Sequence, residues 1–142
     1  MRKTIFILLF PFLLSAQDQI QKALEFQNNV RSYFELKPYS IDPDLEEIAY
    51  KKAVWLSEKK NIVHRNDQYG ELIYVLDKDY LNNNMNCYLD ASVGWVVEFD
   101  PDIKTKTLNQ IICHDCSSIG FGYYEDQDKV YVVAIYDKMF EL

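Results

Sequence analysis

The sequence predicts a single α+β domain, on three observations. Stretches with 3.6-residue apolar spacing come first, and strand-like apolar runs come last. The length of 142 residues suits one domain. A composition of 49% hydrophobic residues, with eleven tyrosines and eight phenylalanines, supplies a packed core and argues against disorder.

The chain opens with a basic pair, Arg2 and Lys3, then an apolar run from Thr4 to Leu14 and a small pair, Ser15-Ala16. That order is expected of a cleaved export signal over residues 1–16, although Leu14 is larger than is usual at its place. The apolar run is about a dozen residues, against roughly 20 for a membrane span. No second run is long enough, so no membrane span is expected after signal removal. Losing Arg2 and Lys3 takes the formal net charge from -7 to -9. Such an acidic chain repels phosphate backbones, which excludes nucleic acid and disfavours anionic membranes.

Gln19 to Phe34 reads as the first mature helix, with Ile20, Ala23, Leu24, Val30 and Phe34 near one face. Pro38 ends it. Asp42-Pro43 starts a second helix: Asp can cap free amides, and proline loses nothing in the first turn. Leu45, Ile48, Ala49, Ala53 and Leu56 give its apolar stripe, and Lys59 and Lys60 suit its negative end. Gly70 to Leu76 reads as extended, and Asp77 to Asn86 as a polar loop. Asp90 is placed to cap a third helix reaching about Phe99, stopped by Asp100-Pro101. Thr107–Cys113, Ile119–Glu125 and Lys129–Tyr136 read as strands, the last two joined by a turn at Asp126-Gln127-Asp128. Gly120 and Gly122 are expected to permit close packing or a bulge. Trp95 is expected in the core.

Cys87, Cys113 and Cys116 make an odd count, so an exported chain keeps at least one thiol unpaired. The C-x-x-C of Cys113-His114-Asp115-Cys116 admits a structural disulfide, plain burial or redox chemistry, and the pairing stays open. His114 reads as an exposed turn residue. There is no internal repeat and no glycosylation sequon.

These residues, in order, resemble the CAP superfamily of cysteine-rich secretory, venom-antigen and pathogenesis-related proteins. Asn28-Asn29-Val30-Arg31 is similar to its H-N-x-x-R, with Gln27 where the family has His. Pro38, Asp42, Leu45, Ala49 and Ala53 match its P-L-x-W-D-x-x-L-x-x-x-A-x-x-x-A stretch, with Ile41 for the Trp. Gly70-Glu71-Leu72 resembles G-E-N, and Ala91 to Glu98 resembles A-V-x-x-W-x-x-E. Thr107 to Ile112 stands at H-F-T-Q-V-V, Ile119 to Gly122 at V-G-C-G, and Tyr131 to Asp137 at Y-V-V-C-x-Y-D. The implied fold is a three-layer α-β-α sandwich with a central, mostly antiparallel sheet, over residues 17–142. The family's two cysteines in the last strands are Phe121 and Ala134 here, so its disulfide pattern is not kept.

The resemblance implies a cleft of two His and two Glu. His64, Glu71 and Glu98 match three of its positions, and Thr107 stands at the second His. Two neutral imidazoles can hold Zn²⁺, with carboxylates orienting them or acting as bases. Thr107 supplies no imidazole. On one strand, His114 would lie roughly 23 Å away on the opposite face. The expectation is therefore a polar cleft of His64, Glu71, Glu98 and Thr107, with no catalytic residue and no cofactor assigned. Zinc on His64 is the minor possibility. The expected function is an exported binding module, secreted or periplasmic, engaging a lipid, sterol or protein partner. The alternative is a metal-assisted hydrolase with Glu71 or Glu98 as base. A glycosidase built on those two carboxylates has no other support.

Overall fold

The computed structural model describes residues 2–59, 68–97 and 106–141. Its elements run α1 (Arg2–Tyr33), β1 (Ser40–Ile41), α2 (Pro43–Lys59), β2 (Gly70–Asp77), a 3₁₀ turn (Lys78–Tyr80), α3 (Cys87–Val97), α4 (Lys106–Ile111), β3 (Ser118–Glu125) and β4 (Lys129–Tyr136). The sheet order is β1-β3-β4-β2, with β1 parallel to β3 and the other pairs antiparallel.

Strand β4 explains the layers. After Lys129 every one of its residues is buried, because it is central and covered on both faces. Val130, Val132, Ala134 and Tyr136 pack with Leu72, Phe121, Ala23, Ala91, Trp95 and Ile111, so α1, α3 and α4 cover that face. Tyr131, Val133 and Ile135 point the other way, into Leu45, Ala49, Ala53 and Leu56 of α2. Period-2 alternation in the strand thus divides the core in two. The predicted α+β sandwich, with helices on both faces of a mostly antiparallel sheet, is the observed architecture.

Helix α2 begins as the sequence predicts: Asp42 Oδ1 accepts the Asp44 amide at 2.9 Å, and Pro43 takes the first helical position. It lies directly on the backbone of β3. A Cβ at Gly120 would sit 2.2 Å from the Glu46 nitrogen, and one at Gly122 would sit 2.3 Å from the Ala49 carbonyl carbon. Close packing, not a bulge, accounts for both glycines.

Four sequence expectations need correction. Thr107–Cys113 is not a strand: Lys106–Ile111 is α4. Leu108, Ile111 and Ile112 have helical i, i+3, i+4 spacing, and the isoleucines obscured it as β-branched residues. Helix α3 starts at Cys87, earlier than expected, and Asn86 rather than Asp90 caps it by accepting the Leu89 amide at 3.1 Å. Its expected end at Phe99 to Pro101 lies outside the described residues. Phe34 is outside α1 and 44% exposed. There Glu35 takes a left-handed φ of 59°, and the Leu36 amide reaches back to the Arg31 carbonyl at 2.9 Å, which ends the helix in a Schellman turn. Finally, α1 runs back to Arg2 as one helix, past its expected start at Gln19. Among the described residues no helix is long and apolar enough to cross a membrane.

Buried tyrosines tie the layers by donating hydrogen bonds. Tyr39 donates to the Gln110 carbonyl at 3.0 Å, and Tyr136 donates to Gln27 Oε1 at 2.8 Å. Burial pushes both phenols well above the ordinary tyrosine range. Burial also pushes Tyr88 up to about 12, with Glu46 and Cys87 adding to the rise. Above pH 10 the unfolded chain releases these protons while the folded chain keeps them, so the slope of stability with pH is negative. Stability should be complete below pH 10 and fall as pH climbs through about 12. Urea midpoints at pH 8, 10 and 11.5 check this, and a midpoint that holds constant across them would contradict it.

Candidate functional site

Of the four expected site residues, Glu71 and Thr107 are described, while His64 and Glu98 lie outside the described residues. Glu71 is the second residue of β2 and pairs in register with Ile135, so it faces α2. Its side chain is 5% exposed, and its Oε1 lies 3.3 Å from Lys52 Nζ on α2. The same ammonium stands 4.4 Å over the Trp55 ring. Lys52 was not among the residues expected from sequence. Its spacing from Ala49, Ala53 and Leu56 put it beside the buried stripe of α2, and that was the signal available.

Helix α4, which carries half-buried Thr107, covers the start of β2 from the other side. There Gln110 lies where a Gly70 side chain would be: a Cβ would meet its Cδ at 2.3 Å. Gln110 Nε2 donates to the Lys138 carbonyl at 2.8 Å, and its Oε1 accepts the Phe140 amide at 3.0 Å. Gln110 therefore clamps the C-terminal segment to β2 and α4. Because α4 is helical, the 23 Å strand-based separation of Thr107 from His114 does not apply; helical rise is about 1.5 Å per residue. His114 is exposed in the turn after α4, as expected. It borders a cleft of about 550 Å³ shared with Gln68, Asn109, Asp115, Lys138 and Glu141.

Cys113 and Cys116 form a disulfide, and Cys87 is a buried free thiol. This closes the pairing that the sequence left open. The bridged loop shapes a cation cage. Arg31, 1% exposed, donates to the carbonyls of Lys37 (2.7 Å), Ile111 (2.9 Å), Cys113 (2.8 Å) and Cys116 (3.2 Å). Its guanidinium also lies 3.9 Å over the Tyr39 ring. Backbone dipoles, including the carbonyl end of α4, thus replace water around this cation. Gln27, at the family's His position, is fully buried and donates from Nε2 to Ser92 Oγ at 3.0 Å. Both Gln27 and Arg31 are committed to holding α1 in place.

Trp95 is buried as expected, with its indole donating to the Ile73 carbonyl of β2 at 3.1 Å. Beyond it, α1, α3 and α4 leave an apolar groove of about 510 Å³ lined by Phe26, Val30, Tyr33, Phe34, Val96 and Leu108. Tyr33 at its rim is 84% exposed. The groove has no counterpart among the sequence expectations.

The described donors do not fit a zinc ion. Thr107 offers a neutral hydroxyl in place of an imidazole, and Glu71 already faces an ammonium. Among the described residues no group of three His, Cys, Asp or Glu side chains could hold a metal.

The comparisons agree with this architecture. The model of the CAP (cysteine-rich secretory protein) family matches residues 24–136. The zinc-bound crystal structure of NaASP2 superposes with a TM-score of 0.70 at 17% identity, over 84% of this chain and 79% of that one. Hookworm platelet inhibitor gives 0.67 at 20% identity, over 88% and 71%. An outer surface protein from Borrelia burgdorferi gives 0.57 at 14% identity, over 85% and 93%. No curated protein matches in sequence. A family model spanning most of the chain, on a fold shared with these structures, assigns the protein: it belongs to the CAP cysteine-rich secretory protein family.

Proposed function

We propose that residues 17–142 form an exported binding module that takes a hydrophobic small molecule in the groove between α1, α3 and α4. The groove carries the reading. Its volume of about 510 Å³ falls in the range of small-molecule sites, and its lining is almost wholly apolar. Solvent-facing Tyr33 and Phe34, the latter 44% exposed, leave aromatic surface at its rim in water unless something covers it. Export is supported by the Arg2 to Ala16 pattern and by a disulfide, which persists in oxidising compartments.

On this proposal the positions of His64, Glu71, Glu98 and Thr107 are not the ligand site, since buried Glu71 faces Lys52 on α2 and Thr107 lies on α4, across β2. The metal-assisted hydrolase is disfavoured because Glu71 is buried against Lys52 on α2 and Thr107 supplies no imidazole for a metal.

Labelled fatty acid and sterol should bind the purified mature domain at micromolar concentration, and Val30→Asp should weaken binding at least tenfold while the domain stays folded at the assay temperature. No binding by the wild-type domain, or equal binding by Val30→Asp, would sink the groove assignment. Capture of a protein partner unaffected by Val30→Asp would move function elsewhere. Calorimetric zinc binding tighter than micromolar, lost in His64→Ala, would restore the hydrolase.

A further inference from the structure

We propose that Gln17 closes to a pyroglutamyl lactam once it becomes the first residue, so that the mature protein begins with a blocked, uncharged terminus. This rests on the export reading with its cut after Ala16. In the step, the Gln17 α-amine attacks its own side-chain carbonyl carbon Cδ. The N–Cδ bond forms, the Cδ–Nε2 bond breaks, and Nε2 leaves as ammonia carrying a proton from the amine. Nothing is oxidised or reduced, and no co-reactant is consumed.

The surroundings leave Gln17 free for this. Ser15, Ala16, Gln17 and Asp18 are all exposed. The first tertiary tie of this part of α1 comes just after them, where Asn86 Nδ2 donates to the Gln19 carbonyl at 3.0 Å. Asp18 pairs with Lys22 at 3.3 Å, one turn along the helix. Among the described residues, the Gln17 side chain has no hydrogen-bond or ion-pair partner. Ring closure needs only rotation about Gln17's own bonds, with no packing to break. The two reacting groups share one residue, so closure has the advantage of an intramolecular reaction. At the start of a helix a positive terminus opposes the aligned peptide dipoles, which favours the neutral, nucleophilic amine. The lactam removes that opposed charge altogether.

The full chain, secreted with its own leader, tests this by intact mass. The expected mass is that of residues 17–142 with the Cys113–Cys116 bond, less one ammonia. Stepwise N-terminal degradation should be blocked until pyroglutamyl aminopeptidase is added. The unmodified mass, persisting after long incubation at neutral pH, would overturn the lactam and leave export standing. A mass that retains residues 1–16, or begins elsewhere, would overturn the export reading and the lactam with it. Gln17→Ala should show the full, unshifted mass and a readable terminus. The same ammonia loss in that variant would place the loss at another residue and overturn the assignment.

Discussion

Arg31→Met should destabilise the domain by about 4 kcal/mol, measured by the urea midpoint, because it strips four carbonyls, three of them buried, of their donor at once. Against a total stability of roughly 5–15 kcal/mol, that is a large fraction. The loss should be concentrated in one place. Arg31 joins α1 to the end of α4, to the disulfide loop and to the segment before β1, with Tyr39 stacked beneath it. Arg31→Lys keeps the charge but offers one compact ammonium where a planar fork reaches several acceptors, so it should recover less than half of the loss. A change under about 1 kcal/mol in Arg31→Met would show that water replaces the guanidinium and that the cage is not a determinant of stability.

Gly122→Ala should cost about 3 kcal/mol and lower the melting midpoint by about 10 °C. The added methyl would lie 2.3 Å from the Ala49 carbonyl carbon and 2.4 Å from the Tyr50 nitrogen. These are backbone atoms of α2, so no side chain can turn aside; the whole helix must lift from β3. Gly120 faces the same constraint one pleat away, at Leu45 and Glu46. Gly94 is the control. It lies within α3, and its added methyl would meet Tyr74 at an ordinary 3.8 Å. Gly94→Ala should therefore raise stability, by about 0.5–1 kcal/mol, through helix propensity alone. Equal melting points for Gly122→Ala and wild type would mean that α2 does not seat on the strand this closely.

The features legible in the residues alone are local ones. Asp42-Pro43 and the Leu45, Ala49, Ala53, Leu56 stripe are enough to start and orient α2, since capping and periodicity act within a few residues. The runs ending at Glu125 and Tyr136, with Asp126 between them, are enough for the β3–β4 hairpin. Asp126 Oδ1 accepts the Asp128 and Lys129 amides at 2.8 Å each, inside that same short window. The ordered series of motif matches was enough for the family.

The remaining features depend on long-range packing. Thr107–Cys113 held signals for both strand and helix, and burial of Ile111 beneath α1 and α3 selected the helix. Arg31 finds Cys116 across 85 positions, and Gln27 finds Tyr136 across 109. Lys52 meets Glu71 only because α2 crosses the sheet face that Glu71 points into. The apolar groove belongs to three helices together. None of these contacts is written in a local window, because each depends on where the sheet brings distant segments side by side.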